Sequence, residues 1–359
     1  MAGASGDALG LAIEFNFDRN RIVEVYGPGG IRRYGPTPYG KNGQLGKVSD
    51  DTQMHLFSGE ALLEGAKLGI NTVSIAKWGS LFRKSYLGWY RTQMSIYPFV
   101  ESFPDMGLLG TPELWCRRAP GTTCLGALKE LHNDAGLLYS ENDSKGCGGV
   151  MRSASCGLVF NSPHDAWDVA YKSAQITHGH PDAIYPAAAL AWLISKLIYD
   201  TSLPDIKTAV IGLVMMMDSG GAVSNSTTHH LLHKVIRFSD VRSHIDEKDL
   251  QAYDENFVDN HLGGGWTGDE ALAIAVYACL AYPDNLEEAV IRAVNHGGDS
   301  DSTGSIAGNI MGAFHGESAI PQAWLEELEL LDTLRGMADS LYEIRGSTLC
   351  TAETDTTSA

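Results

Sequence analysis

Long apolar runs and basic residues are both scarce in this chain of 359 residues. No apolar stretch reaches the roughly 18 residues that a membrane-spanning helix needs. Only 26 Lys and Arg residues stand against 44 Asp and Glu residues, so the formal net charge is −18. Binding to a nucleic-acid backbone requires clustered basic side chains. The sequence therefore predicts neither a membrane partner nor a nucleic-acid partner.

Cysteine is too sparse to define a disulfide framework or a zinc site. The six cysteines form no C-x-x-C pair, and they do not cluster with histidine at a spacing typical of zinc ligands. So few cysteines in a chain of this length suit a reducing compartment. The N-terminal stretch MAGASGDALG also lacks the basic and then apolar layout of a secretory signal. We therefore expect a cytoplasmic protein.

Strand-like alternation is scarce, whereas helical periodicity recurs along most of the chain. We predict helices over 52–68, 183–199, 268–281, 286–294, 302–315 and 322–345. Pro186 is expected in the first turn of its helix, where a missing N–H costs little. Segment 19–50 is predicted to be an extended loop or a short hairpin, and segment 218–230 a surface loop. Segment 88–145 is predicted to be irregular, with short helical pieces. The sequence thus predicts one all-α domain over 1–350, followed by a disordered tail at 351–359.

Two acidic clusters, about 250 residues apart, carry the strongest chemical signal. The first is Ser49-Asp50-Asp51-Thr52, and the second lies within 296–304 (HGGDSDSTG). Each precedes a predicted helix, so helix capping by Ser, Thr and Asp is one interpretation. Capping needs one acceptor, however, whereas each cluster supplies two carboxylates together with hydroxyl groups. The pair of clusters therefore favours a binding site.

If the two loops meet, they supply four carboxylates and two hydroxyls. The carboxylates repel one another unless a cation or a proton intervenes. Such an oxygen-only site suits Mg²⁺ or Mn²⁺ rather than zinc or copper. Four negative charges would match two divalent ions, which lie about 3.5–4 Å apart in known two-metal sites. The second cluster is followed by a glycine at every fourth position, which predicts a very close helix or ligand. These glycines are Gly304, Gly308, Gly312 and Gly316.

Five ordered blocks, which together cover nearly the whole chain, resemble the ADP-ribosylglycohydrolase family. They are GASGDALGLAIE at 3–14, SDDTQMHL at 49–56, KGCGGVMRSASCGL at 145–158, ITHGHPDA at 176–183 and HGGDSDSTGSIAGNIMGA at 296–313. The second and fifth are the most specific. The resemblance implies a compact multi-helix bundle with a dinuclear Mg²⁺ or Mn²⁺ centre, which hydrolyses the bond between ADP-ribose and an acceptor.

The resemblance also implies roles for individual residues around the metals. The implied metal ligands are Ser49, Asp50, Asp51, Asp299, Asp301 and Ser302. Glu14 would pass for an ordinary surface carboxylate by itself, but the family places a glutamate near the metals at this position. Glu14 is therefore the candidate general acid or base, and Asp51 and Asp301 complete the predicted catalytic set.

Substrate-binding residues follow from the other blocks. Gly146, Gly148 and Gly149 match the family's pyrophosphate loop, where glycines let backbone N–H groups approach a phosphate; a plain turn is the alternative. The resemblance places His178 beside ADP-ribose, although a core histidine is the alternative. The resemblance also implies that segment 263–268 (GGGWTG) lines the substrate pocket, so Trp266 is a candidate ring-stacking residue; a loop with a buried Trp is the alternative.

The predicted substrate is an ADP-ribosylated protein, with arginine as the preferred acceptor, because HGGDSDSTG and ITHGHP most resemble the arginine-specific branch. ADP-ribosylserine, or a free ADP-ribose conjugate, is the alternative within the same enzyme class. A different class of function is an immunity-type protein that blocks or reverses the action of an ADP-ribosyltransferase toxin.

Overall fold

The computed structural model describes residues 1–14, 19–69, 73–96 and 107–347, and within these ranges the regular elements are helices. The α-helices are α1 (Ala2–Gly10), α2 (Arg19–Tyr26), α3 (Asp50–Lys67), α4 (Ile75–Met94), α5 (Thr122–Asn133), α6 (Ala154–Val159), α7 (Pro163–Gln175), α8 (Pro181–Tyr199), α9 (Ile206–Asp218), α10 (Thr227–Arg242), α11 (Leu250–Phe257), α12 (Gly268–Ala281), α13 (Leu286–Val294), α14 (Ser300–His315), α15 (Gln322–Glu327) and α16 (Leu331–Glu343). The predicted all-α fold is confirmed. The tail at 351–359 lies outside the described residues.

Two helices that are apolar on nearly every face, α8 and α12, form the centre of the bundle. Their side chains, such as Leu190 and Leu193 of α8 and Leu272 of α12, are fully buried. A helix that is hydrophobic all round belongs in a core. Helix α14 packs against both, so the loop that precedes α14 is held on a rigid base. Among the described residues, no helix has the length and apolar character needed to cross a membrane.

Helices α1 and α14 approach each other so closely that glycine is required at their contact. A Cβ atom on Gly6 would overlap the carbonyl of Gly304, and one on Gly10 would overlap that of Ser300. The glycine repeat of α14 therefore faces a neighbouring helix at Gly304 and Gly308. The fourth member does not belong to this ridge, because Gly316 ends the helix with a φ of +79°.

Pro186 lies inside α8 and not in its first turn, contrary to the prediction. The helix begins earlier, at Pro181, because the imidazole Nδ1 of His180 accepts a hydrogen bond from the backbone N–H of Asp182 at 3.0 Å. A proline at the first helical position is favourable, since its missing N–H would have no partner there. The start signal was thus the His-Pro-Asp sequence before the apolar run.

Two segments predicted to be irregular contain helical residues. Segment 19–50 holds the whole of α2, and segment 218–230 holds the start of α10 at Thr227. In the second case the hydroxyl of Ser226 accepts from the N–H of His229 at 3.2 Å and caps the helix. Segment 88–145 contains the end of α4 and the short helix α5.

The close contact between α1 and α14 predicts opposite effects for two glycine-to-alanine substitutions. Gly304→Ala should destabilise the protein by about 1–3 kcal/mol, because the added methyl meets the carbonyl of Gly6 at 2.5 Å. Gly126→Ala, within α5, is the control: a Cβ there meets nothing within 4 Å, so the substitution should stabilise by about 0.5–1 kcal/mol. Denaturant unfolding measures both. Equal stabilisation by the two substitutions would contradict the close packing.

Candidate active site

The two acidic loops meet at the N-terminal ends of α3 and α14, and Asp7 of α1 supports the first of them. The Asp7 carboxylate accepts hydrogen bonds from the backbone N–H groups of Ser49 at 2.9 Å and Thr52 at 3.1 Å, and from the Thr52 hydroxyl at 2.5 Å. The Ser49 hydroxyl in turn caps α3 by accepting from the N–H of Asp51 at 3.1 Å. Asp7 was missed as a site residue, although it is the single charged residue of a helix made otherwise of small and apolar side chains.

Three carboxylates converge at the centre of the site. Oxygen atoms of Glu14, Asp299 and Asp301 lie within 4.8 Å of one another, and all three residues are buried. Asp50 and Asp51 line the same cleft as these three carboxylates. In the described part of the chain, none of the ion pairs involves any of these five residues. The cluster therefore has no basic side chain to balance its charge there.

Burial and mutual repulsion raise the pKa of these carboxyl groups. Burial, followed by the charge of Asp301, holds the pKa of Asp50 and Asp51 well above its usual range. The same two causes raise the pKa of Asp7 to about 7, against the opposing effect of its hydrogen bonds from Thr52 and Ser49. Without a cation, the cluster must therefore take up protons to stay folded.

Two buried oxygen atoms in the cluster, Oδ2 of Asp51 and Oε2 of Glu14, have no hydrogen-bond partner among the residues that the structure describes. An unpaired buried carboxylate oxygen is costly unless a cation or a proton accompanies it. The surrounding donors are carboxylates and hydroxyls, which are ligands preferred by hard divalent cations. The residues present therefore fit divalent metal binding.

Helix capping accounts for only part of the two acidic loops. Ser49 is a true cap, but Asp299, at the N-cap position of α14, makes no capping hydrogen bond with its side chain. Its Oδ2 atom instead accepts from the thiol of Cys147 at 2.8 Å. Since Asp51 Oδ2 also lacks a partner, neither Asp51 nor Asp299 is explained as a cap.

A cleft of about 320 Å³ opens beside the carboxylates, and most of the predicted site residues line it. The predicted residues among its lining are Glu14, Asp50, Asp51, Gly146, Gly148, His178, Trp266, Asp299, Asp301 and Ser302. Ser49 and Gly149 are not part of this lining. Ser49 is fully buried in its capping role, and Gly149 faces the carbonyl of Ala183 in α8.

His178 lies directly against the glycine loop. A Cβ atom on Gly146 or Gly148 would meet the Nε2 atom of His178 at 3.4–3.5 Å. The other ring nitrogen, Nδ1, pairs with the Thr177 hydroxyl at 2.8 Å, and that hydroxyl accepts from the buried guanidinium of Arg152 at 2.7 Å. Burial and the charge of Arg152 lower the pKa of His178 to about 3, so its ring is neutral.

Three loops are tied together at the mouth of the cleft. The carbonyl of Trp266 accepts from the N–H of Cys147 at 3.2 Å, and the carbonyl of Gly264 accepts from the N–H of Asp299 at 2.8 Å. These bonds fix the glycine loop and the segment around Trp266 against the second acidic loop. The Trp266 side chain remains 43% exposed and belongs to the lining of the cleft.

Cys147 also belongs to the site, although the sequence analysis assigned it no role. Besides its bond to Asp299, its Sγ atom lies 3.5 Å from the hydroxyl of Ser302. Burial and the neighbouring charge of Asp299 hold the pKa of the Cys147 thiol well above its usual range. The thiol is therefore a neutral hydrogen-bond donor beside two of the predicted metal ligands.

Comparison with known proteins identifies the enzyme class to which this helical bundle with its carboxylate-lined cleft belongs. The sequence model of the ADP-ribosylglycohydrolase family matches residues 1–349, and the chain belongs to that family. The resemblance drawn from the five sequence blocks is thereby confirmed. Family membership supports hydrolase activity on ADP-ribosylated substrates.

Individual relatives match over most of their length at low identity. ADP-ribosylhydrolase ARH1 of Dictyostelium discoideum is 24% identical, covering 95% of this chain and 92% of its own. The ADP-ribosyl-[dinitrogen reductase] glycohydrolase of Rhodospirillum rubrum is also 24% identical, covering 96% and 94%. A solved ADP-ribosylglycohydrolase-related protein complex shares the fold, with a TM-score of 0.60, 23% identity and coverage of 96% and 95%.

Removing one charge from the cluster should separate metal binding from folding. In Asp51→Asn and Asp301→Asn, the amide keeps the size of the side chain but relieves the repulsion, so the metal-free variants should melt at or above the wild-type temperature. They should also lose most of the rise in melting temperature that Mg²⁺ produces, and turnover should fall by orders of magnitude. Thermal melts with and without Mg²⁺, beside an activity assay, measure this. Near-normal activity in both variants would return the two residues to a capping role, since Asn caps about as well as Asp.

The raised pKa values also predict how pH acts on the metal-free protein. A carboxyl group whose pKa is higher in the folded state stabilises the fold below its unfolded pKa, and this contribution is lost as the pH rises through the folded value. For Asp7 this contribution to stability is lost as the pH rises from 3.8, its ordinary pKa, to about 7, its pKa in the folded protein. The difference in melting temperature between Mg²⁺-loaded and chelated protein should therefore widen across this pH range. A difference that stays constant with pH would contradict the assignment.

Proposed function

We propose that the chain hydrolyses the N-glycosidic bond between ADP-ribose and an arginine side chain of a protein, with two Mg²⁺ or Mn²⁺ ions as cofactors. The observation that carries the proposal is the buried carboxylate cluster without a basic partner, beside a cleft lined by a glycine loop. Two divalent ions would balance its four aspartates, namely Asp50, Asp51, Asp299 and Asp301. The proposed site of action is the cytoplasm.

The six predicted ligands would hold the ions from the ends of two helices. The side chains are Ser49, Asp50, Asp51, Asp299, Asp301 and Ser302. Both groups lie at helix N-termini, and Asp7 and the thiol of Cys147 orient one loop each through hydrogen bonds. When bound, the ions would orient the ribose and assist deprotonation of water.

The remaining residues of the cleft suit an ADP-ribose moiety. In our proposal, the loop of Gly146 and Gly148 binds the diphosphate. The N–H of Gly148 is the candidate donor, because the N–H of Gly146 already donates to the Ser144 hydroxyl at 3.3 Å. A Cβ atom on Gly148 would lie only 3.1 Å from Cε1 of His178, which favours glycine at that position. Gly149 faces α8 and does not line the cleft, so its proposed part in diphosphate binding is to shape the loop. The neutral His178 ring lies beside the ligand, and the exposed ring of Trp266 stacks on it.

Glu14 is the proposed proton carrier. Among the described residues its Oε2 atom has no hydrogen-bond partner, and one of its carboxylate oxygens lies within 4.8 Å of those of Asp299 and Asp301. Burial, followed by the charges of Asp301 and Asp299, raises the pKa of Glu14 in the metal-free protein. In the proposed reaction the Glu14 carboxyl donates a proton to the guanidine as the C–N bond breaks. Water adds to the anomeric carbon through an oxocarbenium-like transition state, and the proton that it loses returns to Glu14.

Arginine is the proposed acceptor because a relative named as an ADP-ribosylarginine hydrolase matches nearly the whole chain. The ADP-ribosylarginine hydrolase Tri1 of Serratia proteamaculans is 22% identical and covers 94% of this chain and 76% of its own. Matches to ADP-ribosylhydrolase ARH3 proteins cover only 57–60% of the chain. ADP-ribosylserine and free conjugates are the alternatives within the class. An immunity-type role would add binding of a toxin, for which the net charge of −18 is the motivation.

A comparison of two conjugates tests this function. Purified protein with Mg²⁺ or Mn²⁺ should release ADP-ribose from an ADP-ribosylarginine protein with a higher kcat/KM than from an ADP-ribosylserine protein, and chelation should abolish both activities. Glu14→Gln is the matched variant, because it keeps the side-chain shape but cannot exchange a proton. A clear preference for the serine conjugate would overturn the acceptor, and full turnover in chelator would overturn the two-metal mechanism.

A further inference from the structure

A second group of potential metal ligands lies where the chain turns from α9 into α10, and none of its residues lines the active-site cleft. It consists of Asp218, the last residue of α9, and His229 and His233 of α10. The Oδ1 atom of Asp218 lies 2.7 Å from Nε2 of His229 and 3.6 Å from Nε2 of His233. Each of the two imidazoles thus directs its own Nε2 atom toward the same carboxylate oxygen.

The local sequence builds this arrangement. The Ser226 cap fixes the first turn of α10, and residues four apart lie on the same face of a helix. His229 and His233 are therefore neighbours, with their rings 4.6 Å apart and nearly perpendicular. Between the two helices, Gly221 has a φ of +60° and begins a short 3₁₀ turn that returns the chain toward Asp218.

The Asp218 carboxylate pairs with both imidazoles, by a hydrogen bond to His229 and a longer ion pair to His233. One ligand atom from each of the three side chains lies within 4.8 Å of the others, so a single ion could replace both pairings. A tetrahedral zinc ion with ligand bonds of about 2.0–2.1 Å would separate its ligand atoms by about 3.3 Å, a value between the two observed distances. To admit an ion, the distance from Asp218 Oδ1 to His229 Nε2 would lengthen by about 0.6 Å and that to His233 Nε2 would shorten by about 0.3 Å.

Exposure at the cluster also suits ion binding from solvent. The side chains of Asp218 and His233 are 52% and 51% exposed, whereas that of His229 is only 7% exposed. The buried imidazole would be a fixed ligand, and the two exposed side chains can adjust around the ion. The open side of the cluster leaves a coordination position for water.

We propose that Asp218, His229 and His233 form a binding site for a borderline divalent transition metal such as Zn²⁺, which joins the end of α9 to the start of α10. Imidazole nitrogen suits zinc, nickel and copper, whereas Mg²⁺ prefers oxygen ligands. The site would therefore be chemically distinct from the oxygen-only cluster of the cleft. Its function would be to close the turn between the two helices and stabilise this part of the bundle.

Zinc titration in the presence of a large excess of Mg²⁺ tests the proposal, because Mg²⁺ should compete with zinc for the oxygen-only cluster but not for imidazoles. Isothermal titration calorimetry on the full chain should show one equivalent of Zn²⁺ whose affinity falls at least tenfold in His233→Ala and in Asp218→Asn. His230→Ala is the matched control, since His230 is an exposed histidine on the same helix and not one of the three ligands. This control should bind zinc as the wild type does.

Repeating the titration in an Asp301→Asn background separates this site from the catalytic one. The zinc equivalent should persist there and should still disappear with His233→Ala, whatever the activity of the variant. NMR signals of His229 and His233 should shift with added Zn²⁺. Zinc binding that is unaffected by His233→Ala and Asp218→Asn, or the absence of any zinc equivalent in the wild type, would overturn the proposal and leave the cluster a plain ion pair.

Discussion

Repulsion among buried carboxylates is the constraint on which the rest of the site depends. Glu14, Asp299 and Asp301 are held within 4.8 Å of one another, and burial denies them the screening that water provides. Such a cluster is stable only with bound protons or cations, and at neutral pH the cations also provide the proposed chemistry. The repulsion that destabilises the cluster without ions is therefore the same feature that allows it to bind metal.

The bundle tolerates this repulsion because the supporting helices are packed at backbone distance. At Gly6 and Gly304 the backbones of α1 and α14 pack directly against each other. This contact fixes Asp7 beneath the first acidic loop and Glu14 beside the second. The apolar helices α8 and α12 support α14 from the other side. A rigid base of this kind holds ligands in position before any ion arrives.

Helical periodicity predicted the all-α fold, and the two acidic clusters by themselves indicated an oxygen-only site. The other cleft residues, such as Glu14 and His178, were predicted from the resemblance to the family. Ten of the predicted site residues line one cleft, although the acidic loops are about 250 residues apart. The supporting residues were harder to see. Asp7 and Cys147 act through hydrogen bonds to distant loops, and Arg152 acts on His178 through Thr177. Such contacts leave no periodic signal in the chain. The start of α8 was misplaced because a histidine side chain, an uncommon cap, begins that helix.

Electron paramagnetic resonance of protein loaded with Mn²⁺ tests the central claim most directly, because it reports on both the number and the proximity of the ions. The account predicts two Mn²⁺ ions per chain at the carboxylate cluster, with the spin coupling of a pair about 3.5–4 Å apart. Both the coupling and the second ion should be lost in Asp301→Asn. A protein that binds no Mn²⁺, or whose bound Mn²⁺ gives only an isolated-ion spectrum unaffected by Asp301→Asn, would contradict the account.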